Sequence, residues 1–574
     1  MVVSEKTRKA LFLSLAAIAL VIGLLNSTSH AFVNDDCFVS FRCAKNFVNG
    51  HGLVYNSGEH VEAFTNFLWT LLIAVGIHWG YDPIPLTINH GILFYTLNLI
   101  LFTFLSWKYR DSGKGTLLVL PLTSLALSLH RDFNVYATSG LETSMYTFLV
   151  SAGFALLLLN TGGKSLLAPG FVFVLAMMTR PDGFIFLVAA FVFLLLTRKD
   201  VIKTCLYFAA PSLIIFLPYW LWRYKYYGLF FPNSFYAKSA DLAYYSQGLE
   251  YTWIYFKTYY GFFLIPALGG IYLWQRRATL ITSSFFQKFW TALHTEDHPV
   301  QRILLALLFI GAYSFFIIRV GGDFMFARFF IPITPLLLFL IEIILNQTLR
   351  TISNISLAVL LLLATLFRFD QFKEQVSIGH VVDESRYYPK ESVEIAKEYG
   401  RSLKKYFDGL PIRVAFWAGQ LKPMYYAEPF YALEASAGLT DTGVARQHLT
   451  ERGRPGHEKK PSNEYMIQKK IHFFIGPMET PPQGNVINAI FLGNIVARIV
   501  TYNNAIMSAL EKYPDVHFVN LPRYLDEYLV NADKYPLDRV MYDYQFFVQF
   551  YFNNNQDTAR QQKFQEYIRS KLGG

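Results

Sequence analysis

The chain has 574 residues, 53% of them hydrophobic and only 16% charged, with a mean hydropathy of +0.29. That balance excludes an ordinary soluble enzyme and predicts a polytopic α-helical membrane protein. The net charge of +10 leaves no nucleic-acid footprint, because no basic run is interleaved with aromatics and many Lys and Arg sit in short loops between apolar segments.

The first apolar run, residues 10–26, follows "MVVSEKTRK". It reads as an uncleaved signal anchor with the N-terminus in the cytoplasm, the alternative being a cleaved signal peptide. Further runs lie near residues 88–106, 116–130, 143–159, 166–178, 184–197, 203–221, 261–274, 302–318, 331–346 and 353–367. Several fall short of the roughly 20 residues of an ideal span. Loops with "WKYRDSGKG", "TGGK", "RKDVIK", "QRRA" and "TLR" alternate with loops holding "RDFNVYATSGLET", "TRPDG", "RYKYYGLFFPNSFYAK" and "RVGGDFMFAR". Positive charge favours the cytoplasmic side, which places the first set inside and the second outside. The alternation holds only if residues 66–80, "NFLWTLLIAVGIHWG", do not cross. They are expected to form an outer juxtamembrane or re-entrant helix, closed by the "YDPIP" breaker. The prediction is about 11 transmembrane helices within residues 1–367, with a first outer loop at 27–87.

From residue 368 the apolar runs stop. An amphipathic helix and linker lead into a soluble outer domain that completes residues 368–574, long enough for its own core. Strand-like "IRVAFWAG", "IHFFIG" and "VHFVNL" alternate with helical stretches such as residues 486–511, which predicts an α/β domain. Cys37, Cys43 and Cys205 form no CxxC pair and no zinc spacing. A disulfide between Cys37 and Cys43 stays open, but six residues apart on a helix they point away from each other, so buried thiols are favoured.

Ionisable groups at the edge of a membrane bundle are costly to keep, and convergence on one side signals function. Asp35, Asp36 and Arg42 lie in the first outer loop, Glu142 in the second and Arg180 and Asp182 in the third. Arg223, Lys225 and Lys238 follow in the fourth, and Asp323 and Arg328 in the fifth. Carboxylates can take a proton from a hydroxyl, while Arg and Lys can hold a phosphate as it leaves. The set suits transfer of a group from a lipid phosphate to an alcohol at the outer membrane face. On a helix the adjacent acids point about 100° apart, so Asp35 or Asp36 contacts the reacting hydroxyl while the other orients it or binds elsewhere. Mutual repulsion and partial burial should raise one of their pKa values. Plainer readings exist: a "DD" at a helix exit is ordinarily an N-cap, and a lone Arg at a helix end binds a lipid headgroup. His51, Glu59, His60 and Glu62 match no metal spacing, so no metal site is expected, no cofactor is implied, and a divalent cation stays open without a motif. Rival functions are a flippase or transporter of lipid-linked sugars and a noncatalytic glycan-binding scaffold.

The stretch "DDCFVSFRCAKNFVNGHGLVYNSGEHVEAFTNFLW", residues 35–69, resembles the signature loop of the membrane arabinofuranosyltransferases typified by the mycobacterial terminal β-arabinofuranosyltransferase. The likeness continues at "SGLET" (139–143), "TRPDG" (179–183), "YYGLFFPNSFYAK" (226–238), "GGDFMFARFFIP" (321–332), "GLTDTGVAR" (438–446) and "GRPGHEKK" (453–460). Cys37, Cys43 and Ala63 depart from the family pattern without touching its charged positions.

The resemblance implies a GT-C glycosyltransferase in a bacterial inner membrane, with juxtamembrane helices after the first acid and a periplasmic C-terminal domain suited to acceptor or glycan binding. It implies Asp35 or Asp36 as the catalytic acid, as base or nucleophile. Arg42, Arg180, Lys238 and Arg328 become candidates for the donor phosphate, and Glu62, Asn66, Glu142, Asp182, Asn233 and Asp323 for substrate. The implied donor is decaprenyl- or undecaprenyl-phosphate arabinofuranose. The acceptor is a hydroxyl on an envelope glycan, lipopolysaccharide or surface protein, and the lipid bilayer is the remaining partner.

Overall fold

A computed structural model describes residues 4–110, 120–160, 162–275, 285–295, 298–348, 351–417, 419–476 and 486–572. Residues 116–119 of one expected span lie outside these, as do parts of the loops "WKYRDSGKG", "TGGK", "QRRA" and "TLR". Among the described residues, four helices are long and apolar enough to cross a membrane: Glu5–Ser29, Pro83–Lys108, Val201–Tyr227 and Pro299–Val320. Shorter apolar helices accompany them at Phe67–His78, Thr143–Leu159, Gly163–Thr179, Gly183–Thr197, Ile331–Gln347 and Ser353–Leu366.

The segment expected not to cross is a helix of 12 residues, Phe67–His78. At 1.5 Å per residue it is about 18 Å long, well under the ~30 Å of a hydrocarbon core. The next helix starts where Asp82 accepts the N–H of Ile84 at 2.8 Å and Pro83 takes the first turn, which has no hydrogen bond to lose. The described part of the expected run at 116–130 is Leu122–Leu129, followed by the single turn Arg131–Val135. One carboxylate, Glu342, is buried inside an otherwise apolar helix, Thr334–Thr348. It accepts from Ser106 Oγ at 3.0 Å, Thr123 N at 2.9 Å and Thr123 Oγ1 at 2.5 Å, so the polar group is paired within the bundle.

The C-terminal part holds a six-stranded mixed sheet. Arg413–Phe416 lies parallel between Tyr431–Glu434 and Phe473–Ile475. Ile495–Ile499, Ala489–Leu492 and Val516–Phe518 continue it antiparallel. The three runs read as strands are in this sheet. The stretch 486–511 is not a helix: it is the hairpin Ala489–Leu492 and Ile495–Ile499 followed by the short helix Asn504–Leu510. The turn residue Gly493, at φ 59°, is the local reason, since a two-residue loop with positive φ closes a hairpin. A small hairpin, Ser377–Ile378 with Val381–Val382, joins the membrane part through Phe326 N to Val382 O at 2.8 Å and Val382 N to Phe324 O at 2.7 Å.

Helix Pro299–Val320 ends on Gly321 and Gly322, at φ 90° and 71°. A Cβ on Gly322 would run into the Tyr251 ring, which is fully buried. Gly322→Ala therefore meets both backbone strain and overpacking, and is expected to destabilise the protein by about 1–3 kcal/mol. Thermal unfolding in detergent reads this as a lowered midpoint; an unchanged midpoint would contradict the packing.

Candidate active site

Asp36, Glu142 and Asp182 each stand at the N-cap of a helix, Cys37–Val48, Thr143–Leu159 and Gly183–Thr197, and none of the three makes a side-chain cap bond. An N-cap carboxylate ordinarily takes a free amide of the first turn. Here all three are turned into a cavity of about 350 Å³ instead, together with Asn66, Arg180, Lys238, Asp323 and Arg328.

The centre of this cavity is Glu142, whose Oε1 is 3.0 Å from Arg180 Nη1 and 3.3 Å from Arg328 Nη2. Asn66 donates to its other oxygen at 2.9 Å, and Ser40 and Thr70 in turn hold the Asn66 carbonyl. Burial opposes the charge on Glu142, but Arg328 and Arg180 outweigh it and hold the carboxyl at about 2. Asp182 takes the remaining face of Arg180 at 3.0 Å and the Tyr313 hydroxyl at 2.6 Å. Asp323 lies 3.5 Å from Arg328 Nη1, whereas Arg328 Nε is buried without a partner. Arg328 follows Ala327, held at φ 63° in the left-handed region, a strained position of the kind that collects at functional sites. Apolar rings complete the walls: Phe184, Phe231, Phe235, Phe316 and Phe329.

A second cavity of about 310 Å³ lies on the other side of Asp36. Asp36, Lys238, Leu439 and Gly456 line both, so these residues form the partition. Lys238 Nζ stands 3.9 Å from Asp36 Oδ2. The second cavity opens beyond the carboxyl ends of the parallel strands Arg413–Phe416 and Tyr431–Glu434, the usual place for a ligand in such a sheet. Its other walls come from the hairpin around His380, from Glu384, Tyr387 and Tyr388, and from Arg454 and His457.

The two adjacent acids stand in different surroundings. Asp35 is buried, and its oxygens accept Leu421 N at 3.1 Å and Lys422 N at 2.9 Å, at the start of helix Leu421–Ala427. Burial pushes its pKa up to about 6 against the pull of Lys422, and Asp36 adds only a smaller upward push. Asp36 keeps its carboxylate free of such bonds and a quarter exposed, at 25%. The acid with the raised pKa is thus the one tied to main chain.

Three expected site residues stand outside both cavities. Arg42 spends its guanidinium on the carbonyls of Tyr55, Met424 and Pro429, at 2.9, 3.4 and 2.9 Å, and is no longer a phosphate candidate. Glu62 forms a buried pair with Arg223 at 2.6 Å; burial lifts its pKa to about 7 against that partner. Asn233 donates to the carbonyls of Gly438 and Leu439 at 3.0 and 2.9 Å. All three are fasteners, because a buried loop must satisfy its main-chain groups somewhere. Cys37 and Cys43 are free buried thiols. Among the described residues no group of three or more His, Cys, Asp or Glu is placed to hold a metal ion.

Sequence reading missed Glu384, Lys422, Glu434, Arg454 and His457. Leu439, Arg454, Gly456 and His457 fall inside the stretches "GLTDTGVAR" and "GRPGHEKK", and that signal could have placed them. Glu384 lines the second cavity and accepts from Asn34 Nδ2 at 3.3 Å, while Asn34 Oδ1 receives Asp36 N at 2.8 Å. Burial first, then Asp36, raises the Glu384 pKa to about 8. A carboxyl raised from 4.5 to about 8 contributes stability that is complete below the unfolded value and lost as pH rises through the folded one. Glu384→Gln is therefore expected to flatten the fall in unfolding temperature between about pH 5 and about pH 9. Parallel curves for the two proteins would refute it.

No protein-family model matches the chain. A curated relative from Corynebacterium glutamicum, a terminal beta-(1->2)-arabinofuranosyltransferase, is 29% identical over 340 residues, covering 54% of this chain and 47% of that protein. The protein of the same name from Mycobacterium tuberculosis is 27% identical over 343 residues, covering 56% of this chain and 53% of its own length. Among solved structures, ArnT from Cupriavidus metallidurans bound to undecaprenyl phosphate covers 76% of this chain and 88% of its own, with a TM-score of 0.45 and 13% identity. The chain spans about half the length of the curated relatives it matches, and over that half it is similar to terminal arabinofuranosyltransferases.

Proposed function

We propose that the protein is a membrane glycosyltransferase. It moves a furanose, D-arabinofuranose by the likeness of its curated relatives, from a polyprenyl phosphate to a hydroxyl on an envelope glycan, lipopolysaccharide or surface protein at the outer face of the plasma membrane. The observation that carries this reading is the position of Asp36 in the partition between two cavities of unlike chemistry.

A lipid phosphate needs cations for its oxygens and apolar surface for the start of its chain, and the first cavity has both. Arg180 and Arg328 are held in place by Glu142, so they face an incoming phosphate without reorganising. Lys238, beside Asp36, answers the charge that builds on the leaving phosphate. The acceptor hydroxyl arrives from the second cavity, whose aromatic and polar walls suit a sugar. Asp36 then either takes the hydroxyl proton while the hydroxyl oxygen displaces the lipid phosphate, which inverts the anomer, or itself displaces the lipid phosphate and is displaced in turn by the hydroxyl, which retains it. Asp35 keeps the wall of the site in register. The charge alternation of the loops supports about 11 spans, with the N-terminus in the cytoplasm and the C-terminal domain in the periplasm.

Asp36→Asn is expected to lower transfer from polyprenyl-phosphoryl arabinofuranose by at least about 100-fold, while leaving donor binding intact. Mass spectrometry of the product and calorimetry of the donor analogue farnesyl phosphate measure the two. Asp35→Asn should instead lower the unfolding temperature. Wild-type turnover in Asp36→Asn would sink the assignment.

A further inference from the structure

The cations around the two cavities are nearly all matched. Arg180 and Arg328 share Glu142, Asp182 and Asp323; Arg223 has Glu62; and Arg452 has Glu458 at 2.7 Å. Lys459 donates to the carbonyls of Tyr236 and Ala445 at 2.7 and 2.6 Å. Arg454 is the exception. It lines the second cavity, no carboxylate among the described residues pairs with it, and its Nε is buried without a hydrogen-bond partner. Its guanidinium carbon lies 4.9 Å from the centroid of Phe324, which orients the group and neutralises nothing.

No acid of the same cavity forms an ion pair with it, although Arg454 does act on Glu384 through space. Glu434 is saturated: it accepts from the amides of Ser436, Ala437, Gly438 and Leu439 at 2.8, 3.0, 2.8 and 3.1 Å, and from the Ser436 hydroxyl. Asp35 has both oxygens on main-chain amides and lies in the field of Lys422. Asp36 has Lys238. Burial raises Glu384 to about 8 against the pull of Arg454, which favours its protonated form at neutral pH, while burial and Arg454 lower His457 to about 4. One unbalanced, part-buried guanidinium remains, in a cavity with hydrogen-bond donors around it. A desolvated charge without a counter-ion is costly, and an incoming anion would relieve that cost.

We propose that the second cavity takes an acceptor that carries an anionic group, a phosphate or a carboxylate, bound by Arg454 beside the hydroxyl that reacts. This deepens the reading of that cavity as the acceptor site and rests on it for the word acceptor; the anion preference itself can be measured without turnover. A neutral glycan would leave Arg454 unpaired in the complex, so the acceptor class narrows to phosphorylated or uronic-acid-bearing glycans.

The test compares glycerol 3-phosphate with glycerol, small probes that carry a hydroxyl with and without an anion. Calorimetry is run on the full-length protein in detergent, with the first cavity filled by farnesyl phosphate. Glycerol 3-phosphate is expected to bind at least roughly tenfold more tightly than glycerol. Arg454→Gln should weaken it by about the same factor, the scale of one charge-assisted hydrogen bond. Arg454→Lys, which keeps the charge but loses the planar fork, should retain part of the preference and guards against a glutamine variant that fails to fold. Equal affinity for the two probes, no binding of glycerol 3-phosphate, or a preference that survives in folded Arg454→Gln would each overturn the proposal. A preference that vanishes once farnesyl phosphate is present would also overturn it, because Arg454 would then serve the donor phosphate. Loss of transfer chemistry would leave these binding results standing, and failure of the anion preference would leave the role of Asp36 standing.

Discussion

The two main-chain amides on Asp35 are the contact on which the site depends. Leu421 and Lys422 open a short helix whose first N–H groups have no partner within it, and the Asp35 carboxylate accepts both. Other buried bonds tie the first loop to the C-terminal sheet. Asn56 donates to Ala432 O at 3.0 Å and accepts Ala432 N at 2.9 Å, in the manner of one more ladder residue. Arg42 adds its carbonyls beyond residue 420, Met424 and Pro429. Asp36 follows Asp35 directly, so whatever fixes the sheet against the first loop also fixes the Asp36 carboxylate against the second cavity.

That arrangement explains why neighbouring acids of the same kind behave differently. Asp35 is desolvated and would be unstable as a charge without its amides. Asp36 lies one position further round the helix start, and its only ionic partner among the described residues is Lys238, at 3.9 Å. One acid is tied to main-chain amides and the other lines both cavities. The arginines follow the opposite logic: Glu142 consumes part of the charge of Arg180 and Arg328 but holds both guanidinium groups where a phosphate would need them. In a site closed to water such fixed donors are worth more than mobile ones.

Much of this was legible in the sequence. Alternating basic and mixed loops brought Asp35, Asp36, Arg42, Glu142, Arg180, Asp182, Arg223, Lys225, Lys238, Asp323 and Arg328 into one set; one cavity holds Asp36, Glu142, Arg180, Asp182, Lys238, Asp323 and Arg328 and leaves out Asp35, Arg42, Arg223 and Lys225. The end of Phe67–His78 was visible in the "YDPIP" breaker that follows it. Arg42, Glu62 and Asn233 were misplaced for a shared reason. A buried side chain that satisfies a carbonyl or an opposite charge inside the fold has the same residue type as one that faces a ligand. The hairpin at 489–499 was hidden because short apolar runs fit helix and strand equally, and only the Gly493 turn distinguishes them.

The sequence by itself determined the apolar helices and the kinds of groups available, because hydropathy and charge act locally along the chain. Only the tertiary structure decided which of Asp35 and Asp36 is tied to main-chain amides, that Asp36 stands between two cavities, and that Arg454 lines the second of them with no carboxylate paired to it among the described residues. Those outcomes depend on which amides and carbonyls lie within about 3 Å of each side chain. Contacts between residue 35 and residue 421 are set by packing, which no local pattern encodes.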